Sequence, residues 1–349
     1  MYTLLTFLCL LSSYLLLLVI NARKNWAIPL LWVAYTLVSV VALYTHYFAF
    51  FVLAFQAVYV LLVWGTRGFR PLHLILGGLV SGALTILAYL PWLPHLLTRY
   101  GTDVSYWPGR LKIHEVLVDM AISFVGGESV FEAEGILLVA GYGLVLFLCL
   151  AALLSQAAGA ARRQEVGESP VLPSSYYPLL FLLLYLFLPP ALILALSYNS
   201  PKFNARYVMV SSPAFLLILA GGLAALWQRR PENLGNVGRG VLSTLALLFI
   251  LATSAYANYN AYTDPAFARA DFRGVARHVL KRIEPGDTII LTSGHMFPVF
   301  DYYAPGVERH LLPDSPTLDA TQTLDYSIAS DLNQWLAGKE GVWVVLWGV

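Results

Sequence analysis

Residues 26–64 read WAIPLLWVAYTLVSVVALYTHYFAFFVLAFQAVYVLLVW, 39 positions without one Asp, Glu, Lys or Arg. As a single helix the stretch would be about 58 Å long at ~1.5 Å per residue, close to twice the hydrocarbon thickness of a bilayer. Two spans separated by a tight turn at His46 match that thickness. Working outward, eight apolar stretches are long enough to span: 2–20, 26–44, 47–64, 72–93, 135–154, 176–197, 207–227 and 241–258. None contains Asp, Glu, Lys or Arg, each of which costs about 2.5–3.5 kcal/mol at a helix centre on the insertion scale.

Composition agrees with this reading. The 349 residues are 58% hydrophobic and 12% charged, against about 25% charged in an average soluble domain. A soluble globular enzyme is excluded. Cys9 and Cys149 both lie in apolar runs and define no disulfide framework. A net charge of +1 gives no reason to expect a nucleic-acid partner. The expected fold class is a polytopic α-helical membrane protein, with the lipid bilayer as its first partner.

Charge is unevenly placed. Residues 1–258 hold 14 Lys/Arg and 9 Asp/Glu, whereas residues 259–349 hold 7 and 11. The first part is about 9% charged and the second about 20%, so the chain divides into a transmembrane region, 1–258, and a water-exposed domain, 259–349. Nine basic residues (Arg23, Lys24, Arg67, Arg70, Arg162, Arg163, Arg229, Arg230 and Arg239) fall in one set of short loops. Five (Arg99, Arg110, Lys112, Lys202 and Arg206) fall in the other. The positive-inside rule puts the larger set in the cytoplasm, and so Met1 and residues 259–349 outside a cell membrane crossed many times. Met1 runs into the first span with no basic region before it, which argues against a cleaved signal peptide.

The outer domain reads as α/β. Apolar residues at helical spacing mark 271–283, with Asp271 as its cap. Pro285-Gly286-Asp287 makes a turn, residues 288–291 a strand, 296–304 and 327–337 helices, and 342–346 a last strand. The chain stops soon after that strand, so the domain is expected to be truncated.

Three outside features could carry chemistry. Tyr44-Thr45-His46-Tyr47-Phe48 sits where the second and third spans meet. A His among Tyr residues there can donate, accept and titrate, or the group can be an aromatic belt. Lys202 and Arg206 precede the span that starts at Tyr207; on a helix from about Pro201 they would share a face and could grip a lipid phosphate. The alternative is interfacial snorkelling. The outside loop 94–134 contains a stretch, 113–124, whose Ile113, Val116, Leu117, Met120, Ala121 and Phe124 form an apolar stripe for a helix lying in the interface. His114, Glu115 and Asp119 lack the spacing of a zinc motif, and Asp103 and Glu115 are the weaker candidates for positioning an acceptor.

These residues resemble bacterial members of the protein mannosyltransferase-like glycosyltransferases of the GT-C fold. The likeness rests on Met1-Tyr2 before a Leu-rich span, on Leu43-Tyr44-Thr45-His46-Tyr47-Phe48, and on Arg206-Tyr207 with Pro213 opening a late span. It continues through Asp271-Phe272-Arg273, Pro285-Gly286-Asp287 and Asp301-Tyr302-Tyr303, and so covers most of the chain with short motifs. It implies sugar transfer from a polyprenyl-phosphate donor to a hydroxyl on a glycan, lipid or protein acceptor at the extracytoplasmic face. Lys202 and Arg206 would bind the donor phosphate, and Tyr44, His46, Tyr47 and Tyr207 would line the groove. No cofactor is indicated, and a divalent metal is left open. In the family an Asp followed by Glu on the first outside loop is catalytic. This chain has no acid before Asp103 and resembles the family only from a later point. The expectation is a catalytically incomplete fragment with its catalytic residue unassigned.

Two other functions compete. A secondary transporter places ionisable residues and broken helices at mid-membrane, and Pro189-Pro190 is expected to interrupt the sixth span. A noncatalytic membrane scaffold would need only the outer domain as a docking surface.

Overall fold

The helix that opens the 26–64 stretch ends at Thr45, and the next begins at Ala49, with His46 in extended backbone between them (φ −164°, ψ 132°). The computed structural model describes residues 1–22, 24, 26–69, 72–102, 112–164, 173–198, 203–227, 234–268, 270–292, 297–312 and 332–346. Among these, eight helical segments are long and apolar enough to cross a bilayer. The protein is a multi-pass helical membrane protein.

In chain order the helices of the bundle are α1 (Tyr2–Ile20), α2 (Ala27–Thr45), α3 (Ala49–Thr66), α4 (Leu72–Tyr89) and, after α5 (Leu93–Thr102), which belongs mostly to a second unit, α6 (Ile113–Val125). They continue with α7 (Glu132–Gln164), α8 (Tyr177–Ser197), α9 (Ser212–Trp227) and α10 (Leu234–Thr263). A 3-10 turn, Ala205–Ser211, leads into α9 and completes that span. Large apolar side chains stay exposed along these helices, among them Leu79 at 67%, Leu137 at 74% and Phe147 at 67%. Water would penalise each such side chain by about 1.5–3 kcal/mol relative to burial; lipid does not.

Small residues bring the helices together, as expected where lipid removes the hydrophobic drive between them. A Cβ on Gly222 of α9 would lie 2.2 Å from Cys149 Cβ and 2.5 Å from its Cα on α7. Gly77 of α4 takes the Trp32 indole of α2 in the same way, and Gly141 of α7 takes Phe249 of α10. Between α3 and α8 the seam is aromatic: Phe55 stacks on Tyr185 at 4.5 Å, and Tyr59 meets Phe181 edge-on at 4.9 Å.

One polar network lies inside the bundle. Tyr35 donates to Gln56 Oε1 (2.7 Å), and Gln56 Nε2 donates to Ser12 and Ser13 (3.0 and 2.9 Å). Such contacts average about 0.6 kcal/mol between membrane helices, but an orphaned buried hydroxyl costs about 1–3 kcal/mol. Gln56→Leu removes the Tyr35 acceptor and leaves Ser39 as the partner within reach, so it is expected to destabilise the protein by about 1 kcal/mol. Thermal unfolding in detergent checks this; a variant as stable as the wild type would contradict it.

Three expectations need correction. Pro189 and Pro190 do not interrupt α8, which is helical from Tyr177 to Ser197 with both prolines buried. Neighbouring helices make such prolines tolerable in a membrane. The helix through the fifth apolar stretch runs past 135–154 at both ends as the 33-residue α7, because Glu132, Glu134, Arg162 and Arg163 occupy its ends, where water is within reach. The fourth stops at Tyr89 rather than residue 93, where Pro91 cannot extend the helix.

The last spanning helix, α10, passes residue 258 and reaches Thr263, with Asn260 Nδ2 donating to the Ser129 carbonyl (3.1 Å). The second compact unit takes in α5 from His95 on, together with residues from Ala268 onward. It contains α11 (Phe272–Leu280), β1 (Thr288–Thr292), α12 (Phe297–Tyr303), β2 (Arg309–Leu312), α13 (Leu332–Leu336) and β3 (Val342–Val345). Asp271 caps α11 by accepting from Gly274 N (2.8 Å). Gly286 turns the chain at φ +106°, a conformation glycine adopts freely. The sheet is parallel in the order β2-β1-β3, with Ile289 opposite both Arg309 and Trp343. Ala276, Val279, Ile289, Leu291, Phe300 and Leu311 form its core.

Candidate functional site

Four pieces of the bundle meet at one end: the start of α1, the turn between α2 and α3, the loop between α6 and α7, and the 3-10 turn before α9. Phe48 anchors the second piece. It is buried with Ile193 of α8 and Val208, while Met120 and Phe124 of α6 pack on the same cluster. Part of the expected stripe on α6 is therefore used against the bundle, whereas Ile113 and Leu117 remain exposed.

With Phe48 turned inward, His46 is held by backbone. Its N–H donates to Ala42 O (3.0 Å), and its Nδ1 accepts from Phe48 N–H (3.2 Å). A neutral ring in this setting carries its proton on Nε2. The imidazole stacks on Tyr47 at 4.7 Å and lies 5.4 Å from the Tyr2 ring and 6.3 Å from Tyr207. Burial pushes the His46 pKa below its usual value. The unfolded chain then binds more protons once the pH falls below about 6.5, so stability present above that pH declines on acidification. His46→Asn keeps an acceptor for Phe48 N–H and removes the titration. Thermal stability measured at pH 7.5 and 5.5 is expected to fall in the wild type by more than in the variant; equal falls would contradict the assignment.

Asn204 sets the direction of Arg206. Its backbone is extended (φ −136°, ψ 135°), and its Oδ1 accepts from Arg206 N–H (2.9 Å), starting the 3-10 turn. The guanidinium then meets Glu128 in a two-pronged contact, Nε to Oε1 at 2.7 Å and an Nη to Oε2 at 2.8 Å. Both side chains are more than half exposed (55% and 61%), and an exposed pair contributes about 0–1 kcal/mol. Beside it lies a cleft of about 400 Å³ lined by Asp119, Ser123, Glu128, Glu132, Phe203 and Asn204, among others.

His46, Tyr47 and Tyr207 are thus neighbours, and Tyr2 joins them and feels the charge of Arg206. Tyr44 is not in this group. Its hydroxyl donates to Ala88 O (2.8 Å), and its ring packs on Tyr89 and Trp92. The chain turns after Thr45, so two residues of separation become two different faces. Glu115 is exposed and paired with Lys112 (2.8 Å), whose hydrogen bond holds its carboxyl below the usual range. Lys202 and Asp103 lie outside the described residues. A helix from about Pro201, on which Lys202 and Arg206 would share a face, is not formed at Asn204, where the backbone is extended. Glu128 is the residue that sequence reasoning missed. It was one of six acids in loop 94–134, and nothing in its spacing marks it as the partner of a cation 78 positions away.

A second cavity, of about 420 Å³, runs between α2, α3 and α4. Trp32, Phe50, Leu53, Val60, Leu74 and Leu79 are among the residues that line it, and its chemistry suits a hydrocarbon chain. Among the described residues, no group of three or more His, Cys, Asp or Glu could hold a metal ion.

No family model, no curated protein and no solved structure matches the chain.

Proposed function

We propose that this chain is the membrane body of a GT-C-like glycosyltransferase that uses a sugar linked to a polyprenyl phosphate. The observation that carries the proposal is the Arg206 guanidinium, presented as a fork at one end of a helix bundle within electrostatic reach of Tyr2, whose ring lies by those of His46 and Tyr207. A fork of this geometry binds phosphate as it binds carboxylate, through two parallel charge-assisted bonds. The resemblance described above supplies the sugar and the reaction type, and the positive-inside count supports an extracytoplasmic position for this end.

In the proposed reaction an acceptor hydroxyl attacks the anomeric carbon from the face opposite the lipid phosphate. The new O–C bond forms as the bond to the phosphate oxygen breaks, and the electron pair leaves with the phosphate. Arg206 offsets the charge gathering on that group. The acceptor proton passes to a carboxylate within hydrogen-bond reach, a role assigned to no residue of this chain. His46 Nε2–H and the tyrosine hydroxyls provide donors and acceptors for the sugar, and the crevice along α2–α4 suits an isoprenoid chain. Residues 259–349 would form an extracytoplasmic α/β domain.

The test is transfer from a labelled polyprenyl-phosphate sugar in membranes of cells expressing the whole gene. Lipid-dependent transfer above that of membranes lacking the gene is expected. Its absence would sink the proposal.

A further inference from the structure

We propose that Glu128 is the resident counter-anion of Arg206, and that a phosphate group binds by taking its place. The inference rests on the functional reading above and deepens it, because it says what a phosphate on one edge of the guanidinium displaces. Glu128 takes the edge formed by Nε and one Nη of Arg206, at 2.7 and 2.8 Å. A phosphate presented to that edge finds both donors taken, and the two anions cannot share them, since each N–H has one hydrogen to give. The three remaining N–H groups would hold a phosphate beside the Glu128 carboxylate, a like charge that weakens its binding until Glu128 moves away.

The exchange is easy because the pair is exposed. At 55% and 61% exposure, water screens the attraction, and such a pair holds its partners by a factor of about five at most. A phosphate monoester such as farnesyl phosphate carries up to two charges where the carboxylate carries one, and so it competes well; a sugar-linked lipid phosphate is a diester with one charge and competes on equal terms. Glu128 is 61% exposed, so a displaced carboxylate can turn into water. The 400 Å³ cleft that it borders is lined by Asp119 and Glu132, whose charges oppose the entry of any anion and leave Arg206 as the place where a phosphate is held. Glu128 therefore acts as a positioning residue. It keeps the fork aimed while the site is empty and lowers affinity for the ligand it resembles.

Equilibrium binding of farnesyl phosphate to the detergent-solubilised chain tests this, with inorganic phosphate as a second probe. Glu128→Gln and Glu128→Ala are expected to tighten farnesyl phosphate binding by about two- to fivefold. The same changes should have no effect in an Arg206→Gln background. Tightening with both probes supports exchange at the phosphate alone, and tightening with farnesyl phosphate only supports exchange by a lipid headgroup. A merely structural role for Glu128 would weaken binding. Unchanged or weaker binding in both Glu128 variants, with binding lost in Arg206→Gln, overturns the counter-anion role and leaves the glycosyltransferase reading standing. Undiminished binding in Arg206→Gln overturns both.

Discussion

Arg206→Ala is expected to lower polyprenyl-phosphate-dependent transfer by about 10²–10³-fold, the usual effect of removing one preorganised donor from a developing charge. The size follows from two losses. The fork that would neutralise the departing phosphate is gone, and Glu128, which it holds at 2.7 and 2.8 Å, is left beside the same phosphate without the guanidinium between them. Arg206→Lys restores charge without the planar fork, so it should recover only part of the loss. Steady-state transfer by the whole gene product, measured with donor concentration varied, decides the matter. Equal kcat/KM in the wild type and both variants would remove Arg206 from the site.

The second large effect is on stability. Gly222→Leu is expected to destabilise the bundle by about 1–3 kcal/mol or more. The added Cβ would lie 2.5 Å from the Cys149 Cα, and backbone cannot move aside as a flexible side chain can. α7 and α9 must separate, which also breaks the weak Cys149 Sγ–H bond to Leu219 O (3.5 Å). Gly143→Leu is the control. It sits on the exposed side of α7 with nothing within 4 Å of a Cβ, and Leu has the better helix propensity. Thermal unfolding in detergent should separate the two variants, with only Gly222→Leu unfolding at lower temperature. Equal transitions would show that the close approach is not limiting.

The membrane fold was legible in the sequence because bilayer thickness is an outside ruler. It forced a break near His46, and the chain does leave helix between Thr45 and Ala49. Where the ruler is soft, the reading slipped. α7 is longer than a hydrocarbon core requires, since its charged ends reach water and charge avoidance cannot mark where helix stops. Pro189-Pro190 looked like a break because each proline removes a donor, yet α8 runs through both. β2 was missed altogether: Arg309-His310-Leu311-Leu312 is too short and too polar at its start to stand out, and it forms by pairing with β1.

The site was legible only in its local parts. Tyr47, His46 and Tyr207 lie close to one another because aromatic residues at helix ends gather at one level of the bundle. Tyr44 shows the limit, for the turn at His46 sends it to α4. The pairing of Arg206 with Glu128 depends on how α6 and α7 pack against the turn before α9. No periodicity in the sequence encodes that.

The most direct measurement is photo-crosslinking of the purified chain with a diazirine-bearing polyprenyl phosphate, followed by mass spectrometry of the adducts. Adducts at Tyr2, in the His46–Phe48 turn and at Asn204–Tyr207, reduced by excess farnesyl phosphate and absent with the matching polyprenol, are the expected result. Adducts spread along the lipid-facing sides of α4 and α10, or equal labelling by phosphate and alcohol, would contradict the account.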